Sequence, residues 1–256
     1  MEDSSTPTDQ DLGNTKEFLS RIKEASEARE EAMAKVPKPP KHNCLQCGNE
    51  VGLQWGGDGW STPDIHLECE ELLKRYDSIG IDRRFYNLPE FHVEAGNKTA
   101  WEAISDFIKN PRDKGLFLFG PAGVGKTLLL SKIAQEAKVN TRLIKIPRLL
   151  MTMRNNLDGN GWKNELLIGQ LSKLPLLLLD DLGAEKASEW VSEIIYLLID
   201  ERYGKMLPTV ITSNYPLDVI AERLGDRIAS RLVETCRIIE INTTDKRQEN
   251  AQRKAI

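Results

Sequence analysis

Eight consecutive residues, Gly120-Pro121-Ala122-Gly123-Val124-Gly125-Lys126-Thr127, constrain this chain more than any other stretch. An apolar run, Gly115 to Phe119, precedes them, and the sequence after them predicts a helix over 126–138. Gly, four residues, then Gly-Lys-Thr is the pattern of a loop whose backbone N–H groups surround a phosphate. The following helix adds partial positive charge from its amino terminus, and the glycines let the backbone come close to the ligand. In such a loop Lys126 reaches the β- and γ-phosphates of ATP, and the Thr127 hydroxyl coordinates magnesium. Gly120 through Leu128 is therefore the expected ATP-contacting segment.

A loop of this kind sits at the carboxyl end of a strand in a parallel sheet, so strands and helices should alternate around it. Strands are expected at 115–119, 141–146, 175–179, 209–213 and 236–241, with helices over 126–138, from Pro147, and over 187–203. Thr99 and Glu102 stand at capping-box spacing and predict the start of a helix that Pro111 ends. The expected fold class is α/β, with a five-stranded parallel sheet covered on both faces. This ATPase domain is placed at 99–256. Before it come a disordered or helical segment with a Pro-rich linker (1–40), a small module (41–80) and a connector (81–98).

The run Leu176 to Leu179 ends in Asp180 and Asp181, the form of a Walker B strand. Asp180 is expected to hold magnesium through water, and Asp181 to orient the attacking water. Asp181 is one carbon shorter than a glutamate, which predicts slow turnover; Glu185 is a candidate helper whose direction the sequence leaves open. The fourth strand ends in Thr212, Ser213 and Asn214 and should lie beside the phosphate-loop strand, so that Asn214 reaches the γ-phosphate or the water.

Composition bears on the partners. The chain of 256 residues carries 35 Lys and Arg against 39 Asp and Glu, a net charge of -4, so it is not basic overall in the manner of many nucleic-acid binders. Between Arg142 and Lys163, however, five basic residues (Arg142, Lys145, Arg148, Arg154, Lys163) face one acid, Asp158, a local stretch suited to a single-strand backbone. No apolar run approaches the roughly 18 residues of a membrane span, and the first residues are acidic and polar. No membrane association and a cytoplasmic location are expected. In a reducing compartment four cysteines point to metal ligands or buried thiols. Cys44 and Cys47, then His66 and Cys69, form two pairs at zinc-knuckle spacing around a segment poor in apolar residues, which predicts a structural zinc, with His42 as the alternative fourth ligand. Cys236 falls on a predicted core strand and reads as a buried thiol.

Arg227 and Arg231 are four apart and share one helix face; position alone makes them surface arginines. A family resemblance adds to this. The segments 120–127 and 176–183, Glu189-Trp190-Val191, Thr212-Ser213-Asn214 and the run from Leu224 to Leu232 together resemble the DnaC/DnaI helicase loaders and their relatives, the IstB transposition ATPases. The similarity covers about 115–241 and is weaker back to Cys44. It implies an AAA+ fold without a large helical lid and a self-oligomer with ATP between subunits. Arg231 would be the finger acting across the interface, and Arg227 would be a second arginine at the nucleotide. It further implies single-stranded DNA against the segment after the second strand, and a replicative helicase held by the amino-terminal module. The expected activity is slow or partner-stimulated ATP hydrolysis in the loading of a ring helicase. A transposition helper and a nucleotide-switched adaptor with little hydrolysis are the alternatives.

Overall fold

The run of four leucines at 176–179 shows how the sheet is built. In an extended strand successive side chains point to opposite faces, so Leu176 and Leu178 go to one side and Leu177 and Leu179 to the other. All four are fully buried, which requires cover on both faces. The computed structural model describes residue 23 and residues 54–56, 59–61, 67–88, 91–111, 114–156 and 161–244. The chain divides into two compact units, Met1–Cys69 and Glu70–Ile256. In the first, β1 (Gln54–Gly56) pairs antiparallel with β2 (Gly59–Ser61), with Trp55 opposite Trp60.

The second unit contains the five parallel strands β3 (Gly115–Phe119), β4 (Thr141–Lys145), β5 (Leu176–Leu182), β6 (Thr209–Ser213) and β7 (Cys236–Glu240), in the order β4-β5-β6-β3-β7. On one face α1 (Leu67–Ile79), α2 (Lys98–Lys109) and α3 (Lys126–Glu136) bring Tyr76, Ile79, Ala103, Ile104, Phe107, Leu129 and Ile133 against Leu116, Leu118, Leu176 and Leu178. The opposite face is covered by α4 (Ile146–Asn155), α5 (Gly161–Leu171), α6 (Glu189–Gly204), α7 (Leu217–Leu224) and α8 (Asp226–Thr235), whose Leu150, Ile168, Ile195, Leu198, Ile220 and Leu232 meet Phe117, Leu177, Leu179 and Ile211.

The expected α/β class and five-stranded parallel sheet are present, and the strand bounds differ from expectation mainly at β5, which runs on through both acids to Leu182. The expected capping box is not. Thr99 lies inside α2, whose N-cap is Asn97 without a side-chain cap bond; Asn97 instead accepts the Glu94 N–H at 2.8 Å and donates to the His92 carbonyl at 3.1 Å, which shapes the turn before the helix. Cys44, Cys47, His42 and His66 lie outside the described residues, so the zinc set is represented only by Cys69, in the first turn of α1. Among the described residues no cluster of three or more His, Cys, Asp or Glu is placed to hold a metal ion. Nor is any helix among them long and apolar enough to cross a membrane.

Candidate functional site

The loop from Gly120 to Gly125 leaves the carboxyl end of β3 and enters α3. Gly120 has φ of 152°, and a Cβ there would stand 2.1 Å from the Ile241 carbonyl oxygen, so no side chain fits. Gly125, the residue capping α3, has φ of 94°, in the left-handed region that glycine enters at little cost. Pro121 and Ala122 are exposed at the lip, Gly123 and Leu128 are half-buried, and Val124 is buried in the core below. Phe91, stacked on Trp101 with ring centroids 4.8 Å apart, lies over the loop: a Cβ on Gly125 would be 3.6 Å from it. No sequence pattern marked Phe91 for this place.

Four predicted residues converge here. Lys126 is 6% exposed, and its ammonium donates to the Gly120 carbonyl, the Pro121 carbonyl and Asn214 Oδ1, each at 2.8 Å. Asn214 is brought in because β6 pairs directly with β3, Ser213 opposite Phe119. One residue along α3, the Thr127 hydroxyl lies 3.2 and 3.0 Å from the two oxygens of Asp180. Asp180 sits on β5 and is 1% exposed. Burial raises its carboxyl above the ordinary range; the Thr212 hydroxyl opposes this, the charge of Asp181 adds to it, and Thr127 and Lys145 oppose it more weakly. A hydroxyl and a buried carboxylate side by side are hard oxygen donors, the kind magnesium takes, and a divalent cation there would restore the ionised form. The residues present therefore fit the expected ion.

Asp181 follows at the same strand end in a left-handed backbone conformation, φ 64°, where β5 and β6 change register between Leu179 and Leu182. Glu185 is turned back on its own turn. Its Oε1 accepts the Gly183 N–H at 3.1 Å, its carbonyl accepts from Arg223, and burial raises its carboxyl. Sequence reasoning passed over Thr212 except as the polar end of a strand. Its fully buried hydroxyl donates to Asp180 Oδ1 at 2.6 Å and accepts the Asp181 N–H at 3.1 Å.

The two arginines of α8 are placed differently from each other. Arg227 is exposed. Arg231 is clasped within its own subunit: Nε and Nη2 donate to Asp200 Oδ1 at 2.6 and 2.5 Å, Nη2 also donates to Tyr196 Oη at 2.9 Å, and the guanidinium lies over the Tyr196 and Tyr203 rings. In the basic stretch, Arg142 donates to the Ser78 carbonyl and Lys145 pairs with Asp82 at 2.7 Å. Arg154 lies over the Trp190 ring and Lys163 over Trp162, itself 61% exposed. Cys236 is buried as expected, and burial pushes its thiol up to about 11.

Over 150 residues the chain is 29% identical to the replicative helicase loader DnaI of Bacillus subtilis (strain 168), which spans 55% of this chain and 48% of that protein. It is 27% identical over 120 residues to the replicative helicase loader DnaC of Escherichia coli (strain K12), which spans 45% of this chain and 49% of that one. The matches thus span about half the length of these relatives. A crystal structure of the DnaC helicase loader superimposes with a TM-score of 0.54 at 28% identity, covering 63% of this chain and all of the other. The family described as IstB-like ATP binding protein matches residues 95–255, from just before α2 past the end of the sheet. Over well more than half of its length, phosphate loop and paired acids included, the chain belongs to the IstB-like ATP-binding protein family.

Proposed function

We propose that this protein is an ATP-dependent loader that delivers a ring-shaped replicative helicase onto single-stranded DNA, with ATP hydrolysed where subunits meet. The observation that carries the reading is that Lys126, Thr127, Asp180 and Asn214 converge in the part of the chain that is similar to two named helicase loaders. In this reading the loop from Gly120 to Leu128 binds ATP, Lys126 and Asn214 meet the γ-phosphate, and Thr127 and Asp180 hold Mg2+, which supplies charge neutralisation at the phosphates when bound. Asp181 orients the attacking water. Arg231, with Arg227 beside it, acts on the nucleotide of the next subunit in a self-oligomer.

In this reading DNA lies along part of the basic stretch. Arg142 and Lys145 are engaged with residues 78 and 82, which leaves Arg148, Arg154 and Lys163, the last two beside indole rings. Trp162 is exposed, and a cation beside an exposed aromatic face suits a stacked single strand, whereas Trp190 packs against the core. The amino-terminal module, with zinc held by Cys44, Cys47, His66 and Cys69 or with His42 in place of His66, grips the helicase, and the protein works in the cytoplasm. The family description favours a second reading, a transposition helper ATPase. A nucleotide-switched adaptor is the form either takes if Asp181 supports little hydrolysis.

The test uses the host's replicative helicase on DNA coated with single-strand-binding protein. Wild-type protein with ATP should stimulate unwinding by about tenfold, and a Cys44→Ser/Cys47→Ser variant should still bind ATP but stimulate little, since separate units fold separately. Equal stimulation by the variant removes the gripping role of the module. No stimulation of the helicase, with stimulation of a transposase instead, moves the assignment to the second reading.

A further inference from the structure

Asp180 has two carboxylate oxygens, and their surroundings differ. Oδ1 takes the Thr212 hydroxyl at 2.6 Å, inside the sheet; Oδ2 is the nearer of the two to the Thr127 hydroxyl, at 3.0 Å. A hydroxyl has one proton to give and lone pairs to receive with. An ionised carboxylate only accepts, so the Thr212 proton goes to Asp180, and a lone pair of the same oxygen receives the Asp181 N–H at 3.1 Å. One buried atom on β6 thus fixes the roll of one acid and the backbone of the next.

The backbone it fixes is unusual. Asp181 has φ of 64°, which costs free energy for a residue with a Cβ and persists only where the surroundings dictate it. The change of register between Leu179 and Leu182 occurs at this point, so the ladder between β5 and β6 does not itself hold Asp181; the Thr212 side chain does. Thr212 is fully buried, and its hydroxyl bonds to both acids.

We infer that Thr212 is the positioning residue of the two acids, aiming Asp180 Oδ2 at the Thr127 side and setting the direction of Asp181, so that its hydroxyl governs how strongly Mg2+ and nucleotide binding are coupled. This rests on the reading of Asp180 as the magnesium-holding residue. The Thr212 hydroxyl is committed to Asp180 and to the Asp181 N–H. It acts through Asp180, as the groups behind a metal ligand do.

Isothermal titration of the full-length protein with ATP, once with Mg2+ and once with EDTA, reads the coupling without turnover, and hydrolysis is followed separately. Wild type should bind more tightly with Mg2+. Thr212→Val keeps the side-chain shape and removes the hydroxyl. It should lose that Mg2+ gain by about tenfold or more, leave affinity in EDTA within about twofold, and lower kcat more than it raises KM. Thr212→Ser restores the hydroxyl and should restore the gain, which a purely structural role in packing the methyl would not do. If Thr212→Val does not fold, Thr212→Cys, with only a weak S–H, decides in its place. Undiminished Mg2+ coupling in the variant that lacks the hydroxyl overturns the inference. Asp180→Ala separates the two levels: if it too keeps the Mg2+ gain, the reading of the site has failed, not the role of Thr212 alone.

Discussion

Asp180 is almost wholly buried, and burial makes its ionised form costly, an effect that the hydroxyls of Thr212 and Thr127 offset only in part. The folded protein therefore holds this proton more tightly than the unfolded chain does. By linkage, its contribution to stability is greatest below the unfolded value of about 3.9 and falls as pH rises through the window up to the raised folded value. Above that window the loss is constant. Asp180→Asn cannot ionise and should melt higher than wild type near neutral pH, with the difference shrinking as pH falls towards about 4. It should lose Mg2+-dependent nucleotide affinity at the same time. Melting followed by circular dichroism across this pH range checks the sign, and a variant less stable than wild type at neutral pH would refute it. A site residue that destabilises its own fold is what a buried, cation-directed carboxylate predicts.

Among the elements, α6 carries the least expected side chain. Arg202 is 1% exposed and donates to the carbonyls of Leu171, Leu174 and Pro208 and to the Thr209 hydroxyl at 2.6 to 3.0 Å. These are the end of α5, the turn after it, and the start of β6. Burial pushes the guanidinium down to about 10. Arg202→Ala would leave a cavity and three carbonyls without this donor, and should cost about 3 kcal/mol or more in chemical denaturation. A loss under about 1 kcal/mol would mean that neighbouring groups or water replace it. Nothing in the local sequence distinguishes Arg202 from an exposed helix arginine, because it is buried only where the end of α5 and the start of β6 meet around it, and two of its carbonyl partners, Leu171 and Leu174, lie 31 and 28 residues away. The phosphate loop, the leucine run and the two acids are local patterns, and they gave the strands, the sheet class and the convergence of Lys126, Thr127, Asp180 and Asn214. Thr212 bonded to both acids, Phe91 over Gly125, and Tyr76, Ile79 and Ile81 in the sheet's core depend on chain crossings. So does the clasp on Arg231. At α2 local spacing misled, since Thr99 and Glu102 fit a capping box two residues after the actual N-cap, Asn97.

At the scale of the whole molecule the question is whether Arg231 acts beyond its own chain. Its contacts with Asp200 and Tyr196 hold the guanidinium at the α6–α8 surface. If it serves the neighbouring subunit, Arg231→Ala should bind ATP normally and hydrolyse it at about a tenth of the wild-type rate or less. Lys126→Ala should be inactive for a different reason, loss of binding. A mixture of the two should hydrolyse several-fold faster than either alone, since some interfaces pair an intact pocket with an intact arginine. Mixed oligomers that form but show no gain would confine Arg231 to its clasp. The sheet partners of β3 are β6 and β7, which begin at residues 209 and 236. A ribosome making roughly 5–20 residues per second thus leaves the strand bearing the phosphate loop without a sheet neighbour for about 5–20 seconds, its Leu116, Phe117 and Leu118 available to chaperones or to other chains. The most recognisable motif of the sequence is translated by residue 127, but its strand gains sheet neighbours only after residue 209.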